Sequence, residues 1–341
     1  MLKKILTAFT CSLSVLSIDA QTDSTKKPTT TFSGSLDGYY RYNFADAPGK
    51  TNNLTSFTNS QNSFELGMAT ARVDQTYGKV SATVDLGFGR RAQEFSYNDV
   101  GSLISLKQLY ISYAPSEKVK FTFGKWATHV GYELVDAPGN RNYSMSYGFS
   151  YGPFFHTGVK ADIALGGKSA LMVGLANTTD YTSTESPVKY ILGQFSTATK
   201  NDKIKAYLNF QAGGDVTQYN LVATAILAAK WSMAYDGSIQ QTKSATSNAS
   251  WTSNAIYINF DPTNIFGLTL RQDFFTDRKI NPLINGGNIS ATTLSANIKI
   301  DHLTIIPEIR IDNGNQNLFA KSDVTMAKST SSFIVAAYYK F

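Results

Sequence analysis

Polar and apolar side chains alternate along most of this chain, from residue 32 to the last residue. Within 80–89, the side chains of Val80, Val84 and Phe88 alternate with small or polar ones. The last ten residues, SFIVAAYYKF, keep the same alternation up to Phe341. A period of two is typical of β-strands that are apolar on one face and wet on the other.

Counting such segments predicts about sixteen strands, within a range of roughly 14 to 18. An even number suits an antiparallel barrel formed by one chain. The predicted strands are 32–44, 63–76, 80–89, 105–113, 119–127, 154–164, 169–177, 189–196, 204–212, 218–227, 231–240, 251–260, 266–275, 290–300, 303–311 and 332–341.

Short and long links alternate along the chain between these strands. The one exception is 213–217, a short link in a place where a long one is expected. Short turns at one rim and long loops at the other are typical of outer-membrane barrels, whose short turns are periplasmic. Closure is what lets a sheet satisfy its backbone hydrogen bonds in hydrocarbon. The pattern therefore predicts an all-β fold, a single transmembrane antiparallel β-barrel whose last strand, ending at Phe341, closes it.

One predicted strand contains a proline. Pro307 lies inside 303–311 and cannot donate a hydrogen bond to a neighbouring strand. We expect a bulge at Pro307, or a slip of the alternation near Ile305 and Ile306.

The N-terminus has the three parts of a secretory signal: Lys3 and Lys4, an apolar stretch over 5–18, and small residues around Ala20. A buried N-terminal helix is the alternative. We expect residues 1–20 to be a signal peptide, 21–31 a periplasmic segment and 32–341 the barrel. The one cysteine, Cys11, falls in the signal peptide, so no disulfide is expected in the mature chain.

The composition argues against a nucleic-acid-binding protein, and its mean hydropathy does not reveal a membrane protein. The 31 basic and 25 acidic residues are spread without a basic block, which argues against nucleic-acid binding. The mean hydropathy of -0.18 resembles that of a soluble protein. A barrel hides its apolar band from such averages, because every second residue faces the lumen.

The stretch over 120–161 carries a family resemblance, in the motifs Gly124-Lys125, Gly131-Tyr132-Glu133, Asn142-Tyr143-Ser144, Pro153 and His156-Thr157-Gly158-Val159. It resembles Bacteroidota-type outer-membrane porins of the OmpL-like β-barrel porin 2 group. The resemblance implies a barrel and a pore in the outer membrane of a Gram-negative bacterium, but no particular solute.

The longest link, 128–153, is the first candidate site. Long structureless links are usually functional or disordered. Our hypothesis is that this loop folds into the lumen as a constriction, and the alternative is an ordinary surface loop. Its candidate residues are Glu133, Asp136, Arg141, Tyr143 and Tyr147.

Strand parity places charged side chains on the lumen wall. The basic ones are Arg41, Lys107, Lys160, Lys205, Arg271, Lys299 and Arg310, and the acidic ones are Asp37, Glu65, Asp85, Asp162, Asp236, Asp273 and Glu308. Equal numbers of each sign predict weak charge selectivity, since selectivity needs an unbalanced ring. Pairing across neighbouring strands is an equally acceptable interpretation. The pore-lining candidates from these sets are Arg41, Lys160, Asp162, Arg271, Asp273, Glu308 and Arg310.

Catalysis has little support in the sequence. The three histidines, His129, His156 and His302, accompany no serine elbow motif. No metal-ligand spacing is present either. We therefore expect no enzymatic activity, no metal and no cofactor.

Together these patterns predict a porin: a water-filled channel for passive diffusion of small hydrophilic solutes. The alternative is a barrel that serves as a structural or accessory subunit of a larger outer-membrane complex. The expected partners are outer-membrane lipid and lipopolysaccharide, the barrel assembly machinery reading the C-terminal strand, and a homo-oligomer or larger complex.

Overall fold

A computed structural model describes residues 27–49, 52–243 and 248–341. The predicted signal peptide lies outside these residues, as does most of the predicted periplasmic segment. Sixteen strands form one closed barrel. They are β1 (Thr29–Asn43), β2 (Ser63–Tyr77), β3 (Val80–Phe88), β4 (Leu106–Ser116), β5 (Val119–Ala127), β6 (Phe155–Gly166), β7 (Ser169–Asn177), β8 (Lys189–Ala198), β9 (Ile204–Gly213), β10 (Val216–Ala228), β11 (Trp231–Lys243), β12 (Asn248–Phe260), β13 (Phe266–Arg278), β14 (Asn288–Ile300), β15 (Leu303–Gly314) and β18 (Ser329–Lys340).

The barrel closes between its first and last strands. Neighbouring strands pair antiparallel in chain order, and β1 pairs with β18 in a register that sets Tyr40 opposite Val335. Beyond β18, the backbone N–H of Phe341 donates to Gly34 O, and Gly34 N–H donates to Phe341 O, both at 3.0 Å. These bonds join the first strand to the end of the chain, which confirms the predicted barrel and its closing strand.

The alternation that predicted the strands separates the two surfaces of the wall. On β13, Thr269, Arg271 and Asp273 are buried inside the barrel, while Leu270 and Phe274 are exposed on its outer surface. Exposed apolar side chains of this kind surround the barrel and form the surface that meets lipid. None of the helices within the described residues is long and apolar enough to cross a membrane.

The links sort to the two rims as predicted. Short periplasmic turns occupy 78–79, 117–118, 167–168, 199–203, 229–230, 261–265 and 301–302. The extracellular links are called L1 to L8 in chain order, and L6 is the part over 244–247 that lies outside the described residues. The others are L1 (44–62), L2 (89–105), L3 (128–154), L4 (178–188), L5 (214–215), L7 (279–287) and L8 (315–328).

The extracellular loops contain the remaining secondary structure. L2 holds helix α1 (Arg90–Phe95) and a 3-10 helix (Gly101–Ser105). L3 holds a 3-10 helix (Ala137–Gly139) and helix α2 (Tyr147–Tyr151). L8 contains a small hairpin of β16 (Phe319–Ala320) and β17 (Met326–Ala327).

The expected irregularity at Pro307 is wrong. Pro307 stands opposite Val335 in an unbroken register with β18, and Ile306 keeps its place on the inner face. On the other side, the β14 ladder skips the position of Pro307 and resumes in the same register, with Ser295 opposite Glu308. The missing N–H therefore interrupts the pairing of β15 with β14 locally but does not shift the register, because the residues on both sides of Pro307 keep the strands aligned.

Candidate functional site

Loop L3 follows the inner wall of the barrel. It leaves β5, returns at β6, and donates side-chain or backbone hydrogen bonds to β10, β11, β14 and β15. The bonds are Gly131 N to Asn220 Oδ1 (3.1 Å), Tyr132 N to Asp236 Oδ2 (2.9 Å), Asn142 Nδ2 to Ser295 Oγ (2.6 Å) and Tyr143 N to Glu308 Oε2 (2.8 Å). L3 is thus folded into the lumen and does not lie on the outer surface of the barrel.

Local sequence lets L3 turn where the wall requires it. Gly131 adopts φ +96°, a conformation that side chains disfavour. The Oγ of Ser146 accepts a hydrogen bond from Phe149 N (3.1 Å) and caps the short helix α2. A left-handed backbone position at Gly131 and a capped helix start at Ser146 are thus encoded locally.

L3 also reaches the periplasmic end of the barrel. The Arg141 guanidinium forms an ion pair with Asp261, in the 261–265 turn, and its Nε donates to Thr269 Oγ1 (2.7 Å). Near the same end, Ala137 packs with Tyr338 and Ile306 in an apolar cluster against β15, β18 and β1. The loop therefore fills this side of the lumen through most of its depth.

Arg271 is the main anchor of L3 on the wall. Its side chain is fully buried and donates to Glu133 of L3 and to Asp273 of β13, both at 2.9 Å. It also donates to the backbone carbonyls of Ser144 and Met145. A buried guanidinium needs this many acceptors, because an unpaired charge in a protein interior is costly.

Two further strand residues hold the middle of L3. The Glu308 carboxylate accepts hydrogen bonds from Tyr143 N (2.8 Å) and Ser144 N (3.1 Å). Arg310 donates to Met145 O (2.8 Å) and pairs with Asp312 (2.8 Å).

The tyrosines of L3 are anchored through their hydroxyl groups. Tyr143 donates to Asp37 Oδ2 on β1, and the guanidinium of Arg91 in α1 lies 4.6 Å from its ring centre. Tyr147 donates to Asp312 Oδ1 (2.9 Å). Both rings are buried, so they fill space between the loop and the wall.

The other predicted residues fall at different places. Arg41 is buried and donates to Ser60 O in L1. Asp136 pairs with Lys107 on β4 and is 32% exposed. Lys160 and Asp162 pair with each other on β6, at 3.5 Å, away from the Arg271 cluster and partly exposed.

An apolar core in the extracellular half is the main feature that the sequence did not predict. L1, L2 and L3 share it, and phenylalanines in otherwise polar loops were the signal that could have indicated it. Its members are Phe57, Met68, Ala92, Phe95, Val135, Met145, Phe149, Phe154 and Phe155. A second core joins Tyr147 of L3 to Trp251, Phe275, Ile284 of L7 and Phe319 of L8.

The accessible part of the lumen lies on the other side. Partly exposed inner-wall residues occur on β2 to β10, among them Arg72, Tyr110 and Tyr207. In L3, Leu134 is 49% exposed, and Asp136, which pairs with Lys107 on β4, is also partly exposed. Within the described part of the chain, no three His, Asp or Glu side chains are grouped to hold a metal ion.

A closed barrel with an apolar outside, a polar wall inside and a long loop folded into its lumen defines an outer-membrane barrel of the porin type. Residues 29–341 match the family described as "Putative beta-barrel porin-2, OmpL-like". The chain belongs to this family, and its place is the outer membrane of Gram-negative bacteria.

Solved structures share the fold at low sequence identity. An anion-selective porin from Comamonas acidovorans aligns with a TM-score of 0.65 and 13% identity, over 92% of this chain and all of that one. The trimer form of Vibrio cholerae OmpT gives 0.63 and 11%, over 92% and 99%. A BenF-like porin from Pseudomonas fluorescens Pf-5 gives 0.51 and 9%, over 92% and 98%. A comparison with curated protein sequences gives no match.

Proposed function

We propose that this protein is a passive outer-membrane channel for small hydrophilic solutes, narrowed by L3. A sixteen-stranded barrel is wide enough for an aqueous channel. The observation that carries the proposal is the division of the lumen: L3 packs against β11 to β15 and β1, and leaves a polar, partly exposed wall on β2 to β10.

Burial separates the candidate residues into two groups. Those that meet solute in this proposal are the partly exposed Asp136, Arg141, Lys160 and Asp162. The others are buried and hold L3 or L1 in place, so they shape the path without touching what passes: Arg41, Glu133, Tyr143, Tyr147, Arg271, Asp273, Glu308 and Arg310.

Partly exposed charges that pair with one another support weak charge selectivity. Arg72 pairs with Asp74 at 2.7 Å, and Lys160 pairs with Asp162. Paired charges of opposite sign give little net field to a passing ion. The channel therefore passes small solutes of either charge with a modest preference.

Planar bilayers provide the test. Purified folded protein should give discrete conductance steps, and a potassium chloride gradient should give a reversal potential close to zero. A large reversal potential would contradict weak selectivity. The absence of steps from folded protein would overturn the channel itself.

The alternative, an accessory subunit of a larger complex, has one observation in its favour. The apolar core around Phe57, Phe95 and Phe149 fills much of the extracellular half of the barrel. A barrel that gives no steps and copurifies in fixed proportion with another outer-membrane protein would establish this function instead.

The predicted segments and partners complete the proposal. The signal peptide ends at Ala20, so mass spectrometry of the mature protein should find Gln21 as its first residue.

The barrel assembly machinery reads the terminal strand, a proposal supported by the pairing of Phe341 with Gly34. The trimer form of the Vibrio cholerae structure motivates a homo-oligomer, and a monomeric mass in mild detergent would contradict it.

A further inference from the structure

A side cavity of about 360 Å³ opens in the lumen between L3 and the inner wall of β8 to β10. Its lining combines aromatic, hydroxyl and amide groups with one ammonium group. The lining residues are His129, Gly131, Tyr132, Gln194, Lys205, Tyr207, Asn209, Val222 and Thr224. The volume suits a small organic molecule rather than a macromolecule.

The cavity extends along the wall from L3 to the periplasmic ends of β9 and β10. At its extracellular end, Gly131 N donates to Asn220 Oδ1 (3.1 Å) and Gln194 Nε2 donates to His129 O (3.2 Å). These bonds hold L3 against the wall at this end of the cavity. At its lower end, Lys205 and Thr224 stand opposite each other at the periplasmic ends of β9 and β10. Lys205 is therefore the lining residue that lies nearest the periplasm.

The charge of the lining is positive. Lys205 is its one permanent charge, and the lining contains no carboxylate. Among the described residues, Lys205 forms no ion pair at contact distance, and the Asp202 carboxylate, which pairs with Lys168 at 2.8 Å, acts on it only from a longer distance. Lys205 therefore offers an ammonium group whose hydrogen-bond donors are free for an anion.

The neighbouring groups add donors and an apolar surface. In the part of the chain that the structure describes, the hydroxyl groups of Tyr207 and Thr224 have no hydrogen-bond partner within the protein. Val222 stands opposite Tyr207 on the wall, and the Tyr132 ring of L3 lies in the same cavity. The ammonium and hydroxyl groups lie at the periplasmic end of the cavity, Val222 and Tyr132 come next, and the amides of Gln194 and Asn209 lie beyond them near L3. The first two zones fit a molecule with an anionic head and a short apolar tail.

We propose that this cavity binds small monocarboxylates from the periplasmic side, with the carboxylate on Lys205 and the tail against Val222 and Tyr132. Lys200, Lys203 and Lys230 lie exposed on the adjoining periplasmic turns and raise the local concentration of anions. The binding itself does not depend on conduction. A role for this cavity in binding solutes that pass through the barrel rests on the proposed channel function.

The test is titration calorimetry of the folded, detergent-solubilised protein with hexanoate, and with hexanamide as the uncharged analogue of the same size. Hexanoate should bind more tightly than hexanamide. Lys205→Gln should weaken hexanoate binding by about tenfold or more, the usual loss for a charge-assisted hydrogen bond. Lys203→Gln, which removes an equal charge from the exposed turn, should leave binding within about twofold of wild type.

Several results would overturn the proposal: no hexanoate binding to wild type, equal binding of hexanamide, or equal losses in the two lysine variants. Loss of binding in Lys205→Gln alone supports it, provided that heat-modifiable electrophoretic mobility shows both variants folded. Because calorimetry needs no ion flow, failure of this site is distinguishable from failure of the channel, which the bilayer experiment measures.

Discussion

Replacing Arg271 with methionine should release L3 from the barrel wall. The substitution keeps an unbranched apolar stem and removes the guanidinium. Glu133 and Asp273 then remain buried without their shared cation, and the carbonyls of Ser144 and Met145 lose a donor. The docked loop therefore becomes less stable relative to an undocked one.

The magnitude follows from the burial of the cluster. The side chains of Arg271, Glu133 and Asp273 are 0%, 3% and 0% exposed. Removing one partner of a buried ion pair costs about 3 to 5 kcal/mol. Each 1.4 kcal/mol is about tenfold in an equilibrium constant, so the ratio of docked to undocked loop falls by a factor of roughly a hundred to a few thousand.

Single-channel recording provides the assay. Arg271→Met should give larger or noisier conductance steps than wild type, because an undocked L3 no longer occupies the β11 to β15 side. Arg72→Met is the matched control. It removes a lumen arginine that pairs with Asp74 and is 31% exposed, and such pairs contribute only about 0 to 1 kcal/mol.

Identical traces from folded Arg271→Met and wild type would refute this account of L3. An equal change in Arg72→Met would also refute it, because the effect would then come from the charge of the lumen and not from the loop. A stable wild type that does not conduct, together with a conducting Arg271→Met, would show that L3 closes the channel.

Two further predictions concern the loops and the chain end. Burial raises the pKa of Asp180, in L4, from 3.8 to about 7, although it accepts hydrogen bonds from Phe154 N and Phe155 N. The native state therefore binds more protons than the unfolded one between about pH 4 and 7. Stability should fall as the pH rises through this window, so protease cleavage within L4 should be faster at pH 8 than at pH 5. Asp180→Asn should reduce this difference in cleavage rate. An unchanged difference in the variant would assign the effect to other groups. Deleting Phe341 removes its two backbone bonds to Gly34 and should lower the fraction of heat-modifiable, folded barrel in outer membranes, whereas Phe341→Leu should keep most of it; a normal yield after the deletion would contradict a role in assembly.

The strands could be predicted because the outer face of the wall meets lipid and the inner face meets water or polar groups, so apolar and polar residues must alternate along each strand. Strands β5 and β7 have the limits that the alternation predicts, 119–127 and 169–177. Other strands continue beyond the prediction on the extracellular side, as β13 does to Arg278 and β15 to Gly314. There both faces of the strand carry polar residues, so the period of two disappears although the ladder continues.

The contacts of L3 could not be predicted in the same way. Its length and composition indicated a lumen loop, but its anchors join residues far apart in sequence, such as Glu133 with Arg271 and Tyr143 with Asp37. No local period encodes such pairs. The shared apolar core of L1, L2 and L3 is equally non-local, since the rings of Phe57 in L1 and Phe154 in L3 lie 5.2 Å apart although the residues are far apart in sequence.

Strand parity shows which side chains point inward, but it does not show whether they meet water. Arg271 and Lys160 have the same parity on their strands, yet Arg271 is fully buried under L3 while Lys160 is partly exposed. An equal count of inward charges therefore overstates what a solute encounters, because buried pairs are neutralised within the protein. The selectivity of this channel should depend on the few exposed charges beside L3, and the position of L3 should depend on the buried ones.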